Sequence, residues 1–479
     1  MSETQILKFY TNENGFAPEL LDVAKLFFSR TEFLTVNEST IADIVVKSEI
    51  KNDEYSCFAS YNDVNFDHKI ILNRLWTKLE EKRYKKRCIK SALYACLKKV
   101  FNKQPPWGSL TGIRPVKLAY EIAENENADF RTVFSEKFDV SPSKITLVEQ
   151  IINSQKGLRT IDDNFIDVYV GIPFCVSRCS YCSFTSGVIS KLIKHVEPYV
   201  NNLMTEIKTT LSFLKEYGYK IRNVYFGGGT PTSLSASDLD LILSCFDFPV
   251  SEFTVEAGRP DTIDNEKLSV LANRGVNRIS VNPQSFNQIT LDKIGRNHSV
   301  KEIYEKFSLA RKFDFIVNMD LIAGLPDETE QMFRYSVDEA VSLCPENITI
   351  HTLALKRGSL LKEQENLTAN SEEDVIKMVE YAREKLSSNR YDPYYLYRQK
   401  YVSSNLENVG YCKKGTQCRY NIDIMEETTS IAACGCNAIS KRVFSAQNRI
   451  ERQADPKDVI TYNNDLPLYL ARKKELFKK

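Results

Sequence analysis

From about Asp167 onward, short β-rich apolar runs alternate with longer segments whose apolar residues recur at i, i+3 and i+4. The runs predict strands over 168–172, 223–226, 253–256, 278–281, 315–321 and 347–352, and the longer segments predict helices, 193–214 and 300–312 being the clearest. Strand and helix alternating in this way is the signature of βα units around a parallel sheet. Six predicted strands are fewer than the eight that close a (β/α)8 barrel, so the expected fold is α/β with an open, partial TIM-like barrel of about six units. In such a fold chemistry gathers at the strand C-terminal ends, and the polar and cysteine-bearing segments of this chain fall there.

Residues 1–160 read differently. Alternating apolar segments up to Leu72 are followed by a long helix reaching about Val100, which predicts a separate α+β domain. The basic run Lys82 to Arg87 lies on that helix and reads as solvated surface opposite an apolar face. The loop Pro105 to Pro115 has the Pro/Gly punctuation of a fixed turn, and it either packs on the barrel or helps form a substrate cavity. Residues 161–360 form the expected barrel domain. Residues 361–479 are expected to be a mainly helical accessory region that covers the substrate cavity.

Composition narrows the function classes. Among 479 residues, 64 basic side chains nearly cancel 63 acidic ones, leaving a formal charge of +1 and no general field to gather nucleic acid. Residues 1–15 lack a basic segment followed by an apolar one, and no apolar run is long enough to span a bilayer, so a soluble cytoplasmic protein is expected. Twelve cysteines in a chain of this length are too few for a disulfide scaffold, which makes metal ligation the first question.

Cys175, Cys179 and Cys182 form a C-x3-C-x2-C loop directly after a predicted strand. Structural zinc takes four protein ligands and catalytic zinc three, commonly with histidine. The nearest histidine, His195, lies beyond the loop, and no second C-x2-C is close by. Three thiolates in one short loop instead fit three corners of a 4Fe–4S cluster, leaving one iron open. An open iron can chelate the amino and carboxylate groups of S-adenosylmethionine (SAM). Electron transfer from the reduced cluster then cleaves the sulfonium bond and gives a 5'-deoxyadenosyl radical able to take hydrogen from unactivated carbon. One βα unit later, Gly227-Gly228-Gly229-Thr230-Pro231 offers a turn where backbone can approach the methionine part of SAM closely.

Taken with Ile172-Pro173-Phe174 before the triad, Pro283-Gln284-Ser285-Phe286 and Asp320 to Pro326, these motifs resemble the oxygen-independent coproporphyrinogen III dehydrogenases of the radical SAM superfamily. Val255 to Asp261, Tyr397 to Lys400 and Asn405 to Tyr411 resemble the HemZ-type branch more narrowly. The resemblance runs from about Tyr169 to Lys441. It implies that Tyr169 and Tyr181 lie beside SAM, that Gly228, Gly229 and Thr230 run along its methionine, and that Glu256, Gln284, Arg296, Asp320, Ala354 and Ile439 are further SAM contacts. It also implies a tetrapyrrole partner, coproporphyrinogen III or heme, and a reductant such as flavodoxin or ferredoxin. The implied activity is oxidative decarboxylation of propionates to vinyl groups in anaerobic heme biosynthesis. A heme carrier and a radical enzyme of anaerobic heme degradation are the alternatives. Arg259, Arg398 and Lys400 are expected partners for substrate carboxylates.

Two departures from the family pattern stand out. Phe184 occupies the position of a further cysteine in established dehydrogenases. The stretch Glu407 to Cys412 stands where related heme chaperones carry His-Asn-x-x-Tyr-Trp, with Glu in place of the imidazole. Cys412, Cys418, Cys434 and Cys436 raise the idea of a second cluster, but Cys434-Gly435-Cys436 replaces small residues of relatives, and cysteine behaves as a small buried hydrophobe.

Overall fold

The computed structural model describes residues 5–28, 31–125, 127–184, 186–354, 359–362, 370–399 and 406–478. They divide into two compact units, Met1–Glu149 and Gln150–Lys479.

In the first unit the sheet has the order β2-β1-β3-β4-β5, with β1 Gln5–Thr11, β2 Thr31–Thr35, β3 Ile44–Lys51, β4 Glu54–Tyr61 and β5 Val64–Ile71. Its inner residues, Phe9, Ile44, Val46 and Ala59, pack with Leu20 of the helix Ala17–Ala24 and with Ile89, Leu93 and Leu97 of the helix Lys78–Phe101. That long helix starts in a capping box between Thr77 and Glu80. Its basic run is ion-paired at the surface, with Lys85 on Glu81, Lys86 on Glu19 at 3.3 Å and Arg83 on Glu121 at 3.6 Å. The Pro105–Pro115 loop packs within its own unit: Ser109 donates its N–H to Phe138 O at 2.8 Å, and Trp107 is fully buried.

The second unit is built on an 11-stranded sheet. Six parallel strands run through its middle in sequence order: β6 Phe165–Ile172, β9 Lys220–Gly228, β10 Glu252–Val255, β11 Arg278–Ser280, β12 Ile316–Ala323 and β13 Asn347–Thr352. They coincide with the six predicted runs. On β12 buried Val317, Met319 and Leu321 alternate with cavity-lining Asn318 and Asp320, and on β13 buried Ile348 and Ile350 alternate with cavity-lining Thr349 and His351. The predicted helices are present as Ile193–Glu216 and Val300–Ala310, the latter opened by a capping box between Ser299 and Glu302.

The region expected to be mainly helical contributes strands as well. β14 Asp392–Arg398 and β15 Glu407–Cys412 extend the sheet antiparallel beyond β13. β16 Ser430–Cys434 adds in parallel beside β6, and β17 Ile439–Phe444 and β18 Arg449–Ala454 follow antiparallel. The barrel therefore stays open, with β14 and β18 as its edges. The unit boundary falls near 149 rather than 160 because the chain beyond it already bonds to barrel elements: Gln155 donates to Tyr394 O at 2.9 Å and to Glu426 at 3.1 Å. No helix among the described residues is long and apolar enough to cross a membrane.

Candidate functional site

The C-terminal ends of the parallel strands surround a cavity of about 440 Å³, within the roughly 300–1,000 Å³ of small-molecule sites. Cys175, Cys179 and Cys182 line one side of it. Their loop leaves β6 through the two-residue strand β7, Phe174–Cys175, which pairs with β8, Gly187–Val188. Backbone bonds then fix its path, Ser180 N–H to Ile294 O at 3.0 Å, Cys182 N–H to Cys179 O at 3.1 Å and Gly187 N–H to Pro173 O at 2.8 Å. Among the described residues no three His, Cys, Asp or Glu side chains close on one ion-sized point. A cubane takes one thiolate per iron and is wider than a mononuclear site.

The glycine turn lies beside this loop because β6 and β9 pair with Gly171 opposite Gly227 and Ile172 opposite Gly228. Gly229 donates to Ile172 O and Thr230 to Phe174 O, both at 2.7 Å, and Thr230 Oγ1 lies 3.5 Å from Cys175 Sγ. A Cβ on Gly229 would meet Phe174 O at 2.5 Å and Cys175 Sγ at 3.0 Å, and Gly228 has φ +109°. Only glycine lets the backbone come this close to the cysteine loop.

Tyr169, Tyr181, Gly228, Gly229, Thr230, Glu256, Gln284, Arg296, Asp320 and Ala354 all line the same cavity. Glu256 accepts from Tyr225 Oη at 2.6 Å, and burial pushes its pKa up to about 7 against the lowering pull of that bond. Burial acts on Asp320 in the same sense, but His351, 3.5 Å from Oδ2, and Asn318, donating to Oδ1 at 2.7 Å, hold its carboxyl below the usual range. Gln284 sits at φ +68° and is anchored by its N–H to Asp320 O at 2.9 Å. A strained, buried residue of this kind marks a position kept for a purpose.

The fit to a cofactor can be tested on unused polar atoms. Gln284 Oε1 and Arg296 Nε are buried without hydrogen-bond partners, while Arg296 Nη1 donates to Gly258 O at 3.2 Å. Leaving a buried polar atom unpaired costs about 1–3 kcal/mol, so such atoms are sites for a ligand's donors and acceptors. An orphan acceptor, an orphan donor on a buried cation, an acidic pair and a glycine cradle beside three thiols fit SAM on an iron–sulfur cluster: acceptors suit ribose hydroxyls and a sulfonium, and a guanidinium suits a carboxylate.

One expected contact is elsewhere. Ile439 is 53% exposed and opens β17, two strands outward from β6, outside the cavity lining. The chain reverses at Gly435–Asn437, so residues beyond that turn run away from the cavity end. Arg259 is 4% exposed and already engaged, with Asp261 across its fork and Ser177 O at 3.2 Å. Arg398 stands opposite Glu407 in the β14–β15 ladder, is buried, and does not line the cavity; burial pushes it down to about 10 against the pull of Glu407. Lys400 and Asn405 lie outside the described residues. Phe184 borders the cavity with two thirds of its surface exposed.

The cavity also holds Tyr225 and His351, which lie outside every motif, and Tyr397, Gln399 and Asn408, which belong to motifs without an expected site role of their own. His351 Nδ1 lies 3.3 Å from Tyr397 Oη, and Asn408 accepts from Thr352 N–H at 2.8 Å. The one available signal was strand position, since His351 is one residue short of the end of β13. Cys412, Cys418, Cys434 and Cys436 are buried thiols, each pushed above the ordinary thiol range by burial. Cys418 donates to Glu252 at 3.1 Å and Cys434 bonds to Thr210 at 3.6 Å, so they belong to the packing.

Residues 169–340 match the family model described as the radical SAM superfamily. The chain is 40% identical over 382 residues to the oxygen-independent coproporphyrinogen-III oxidase-like protein HemZ of Bacillus subtilis, covering 77% of this chain and 76% of that protein. The chain belongs to the radical SAM superfamily, in the family of these oxidase-like proteins. Members of this superfamily use a 4Fe–4S cluster and SAM. This radical SAM chain is also 30% identical to the heme chaperone HemW of B. subtilis over 264 residues, covering 53% of the chain and 65% of that protein. The solved structure of coproporphyrinogen III oxidase (HemN) from Escherichia coli shares its fold with a TM-score of 0.52 at 19% identity, over 66% of this chain and 72% of that one.

Proposed function

We propose that the protein is a radical SAM oxidoreductase of anaerobic heme biosynthesis that decarboxylates propionate side chains of coproporphyrinogen III to vinyl groups. The observation that carries this reading is one cavity lined by the cysteine triad, the glycine turn and the polar residues Glu256, Gln284 and Asp320, in a chain 40% identical to an oxidase-like relative over most of its length. Cys175, Cys179 and Cys182 hold the cluster, and Arg296 and Gln284 orient SAM. Glu256 and Asp320 offset its positive charge. The cluster and SAM, when bound, supply hydrogen abstraction from unactivated carbon; the protein positions the target carbon and excludes water. Tyr395, Tyr397, Gln399 and Asn408 on β14, β15 and the segment after β14 complete the cavity wall and face the tetrapyrrole. The electron comes from a flavodoxin- or ferredoxin-type donor in the cytoplasm.

Against a heme carrier stands Glu407, a carboxylate where the chaperones' signature has an imidazole, buried opposite Arg398 rather than lining the cavity. The test is anaerobic incubation of reconstituted protein with SAM, dithionite and coproporphyrinogen III, with product analysis. Vinyl-bearing product supports the proposal. SAM cleavage without vinyl product, together with stable heme binding, overturns it in favour of a carrier.

A further inference from the structure

Arg259 follows β10 and is buried at 4% exposure. One edge of its fork is closed by Asp261, Nε to Oδ1 at 3.0 Å and Nη2 to Oδ2 at 2.8 Å. The remaining nitrogen, Nη1, donates into the cysteine loop, to Ser177 O at 3.2 Å and to Cys179 Sγ at 3.5 Å. Both edges of the guanidinium are thus in use, and none is left for the two-point grip that a substrate carboxylate invites. The bidentate pair with Asp261 fixes the plane of the guanidinium, and that plane aims Nη1 at the thiol. A lysine could place a charge here but could not span the carboxylate and the loop together.

We propose that Arg259 is a positioning residue for the cysteine loop and that its charge, partly offset by Asp261, sets the reduction potential of the cluster through Cys179. Cluster potentials follow net charge and hydrogen bonds to the ligating sulfurs. Reduction adds a negative charge to the cluster, so a buried cation donating to one thiolate favours the reduced form and raises the potential. Asp261 works in the opposite sense and also holds the guanidinium in place. The proposal rests on the assignment of Cys175, Cys179 and Cys182 as ligands.

The experiment is an EPR-monitored redox titration of the full-length, anaerobically reconstituted protein without SAM, with iron counted in each sample. Arg259→Gln removes the charge and is expected to shift the midpoint to more negative potential; Asp261→Asn removes the offsetting carboxylate and is expected to shift it the other way. Arg259→Lys keeps the charge without the fork, and its expected midpoint lies between those of the wild type and Arg259→Gln. A four-iron Arg259→Gln protein with an unmoved midpoint overturns the proposal. If that variant fails to load iron, an unmoved midpoint in Asp261→Asn overturns it instead. Four irons retained in Cys179→Ala would refute the ligand assignment itself, and the proposal with it, whatever Arg259 does to the potential.

Discussion

Tyr225 Oη donates to Glu256 Oε1 at 2.6 Å, joining the second and third of the six parallel strands at the cavity floor. The bond keeps an otherwise desolvated carboxyl oriented, and burial leaves that carboxyl with a pKa of about 7. Below that value the free protein holds Glu256 protonated, whereas a sulfonium cation favours the carboxylate. SAM affinity is therefore expected to rise as pH increases through about 7, by up to about tenfold per unit on the acid side. S-adenosylhomocysteine, which lacks the positive sulfur, should show a much flatter dependence. Calorimetric titration of both ligands between pH 6 and 8 checks this, and Glu256→Gln should remove the slope for SAM.

Gly229 has no room for a methyl group, with Phe174 O and Cys175 Sγ at 2.5 and 3.0 Å from its ideal Cβ. Both obstacles belong to the cysteine loop. Gly229→Ala is expected to cost about 1–3 kcal/mol through overpacking and to lower the iron retained per chain. Gly112, with nothing within 4 Å of its ideal Cβ and no positive φ, is the control for added bulk on a glycine. Thermal unfolding and iron analysis of the two alanine variants separate local obstruction from general instability.

Much of this site is legible in the sequence. The six core strands announced themselves because short β-rich runs with recurring apolar residues alternate with helix-patterned segments, and Cys175 to Cys182 and Gly227 to Pro231 are each contiguous in sequence. The strands β16 to β18 were missed for the opposite reason. Ser430–Cys434 is made of small residues, and Ile439–Phe444 and Arg449–Ala454 carry the charges typical of a protected sheet edge. The grouping of His351 with Tyr397 and Asn408 was out of reach, since β13, β14 and β15 meet only through tertiary pairing. Arg259 was legible as a candidate partner for substrate carboxylates but not as a cation committed to the cysteine loop, because its partner Ser177 lies 82 residues earlier in the chain.

Lys473 is fully buried on the helix Val459–Phe477, paired with Glu206 and, at 3.0 Å, with Asp455. Glu206 also accepts from Gly435 N–H at 2.8 Å, next to the turn whose Cβ would touch Gly171 O. The final helix is thus tied by charge to the helix Ile193–Glu216 and, through Glu206, to the turn that follows β16. Lys473→Met leaves two buried carboxyls without their cation and is expected to destabilise the protein by about 3–5 kcal/mol. Urea unfolding measures it. A second substitution, Glu206→Gln, should recover part of the loss by removing one stranded charge.

On the proposed reading the loop Cys175 to Cys182 holds one cluster and the C-terminal cysteines hold none. Iron and sulfide counts with Mössbauer spectra on anaerobically reconstituted protein test it most directly. One 4Fe–4S cluster per chain is expected in the wild type and in Cys436→Ala, and loss of the cluster and of SAM cleavage in Cys179→Ala. Four irons retained in Cys179→Ala, or iron lost in Cys436→Ala while its fold persists, would contradict it.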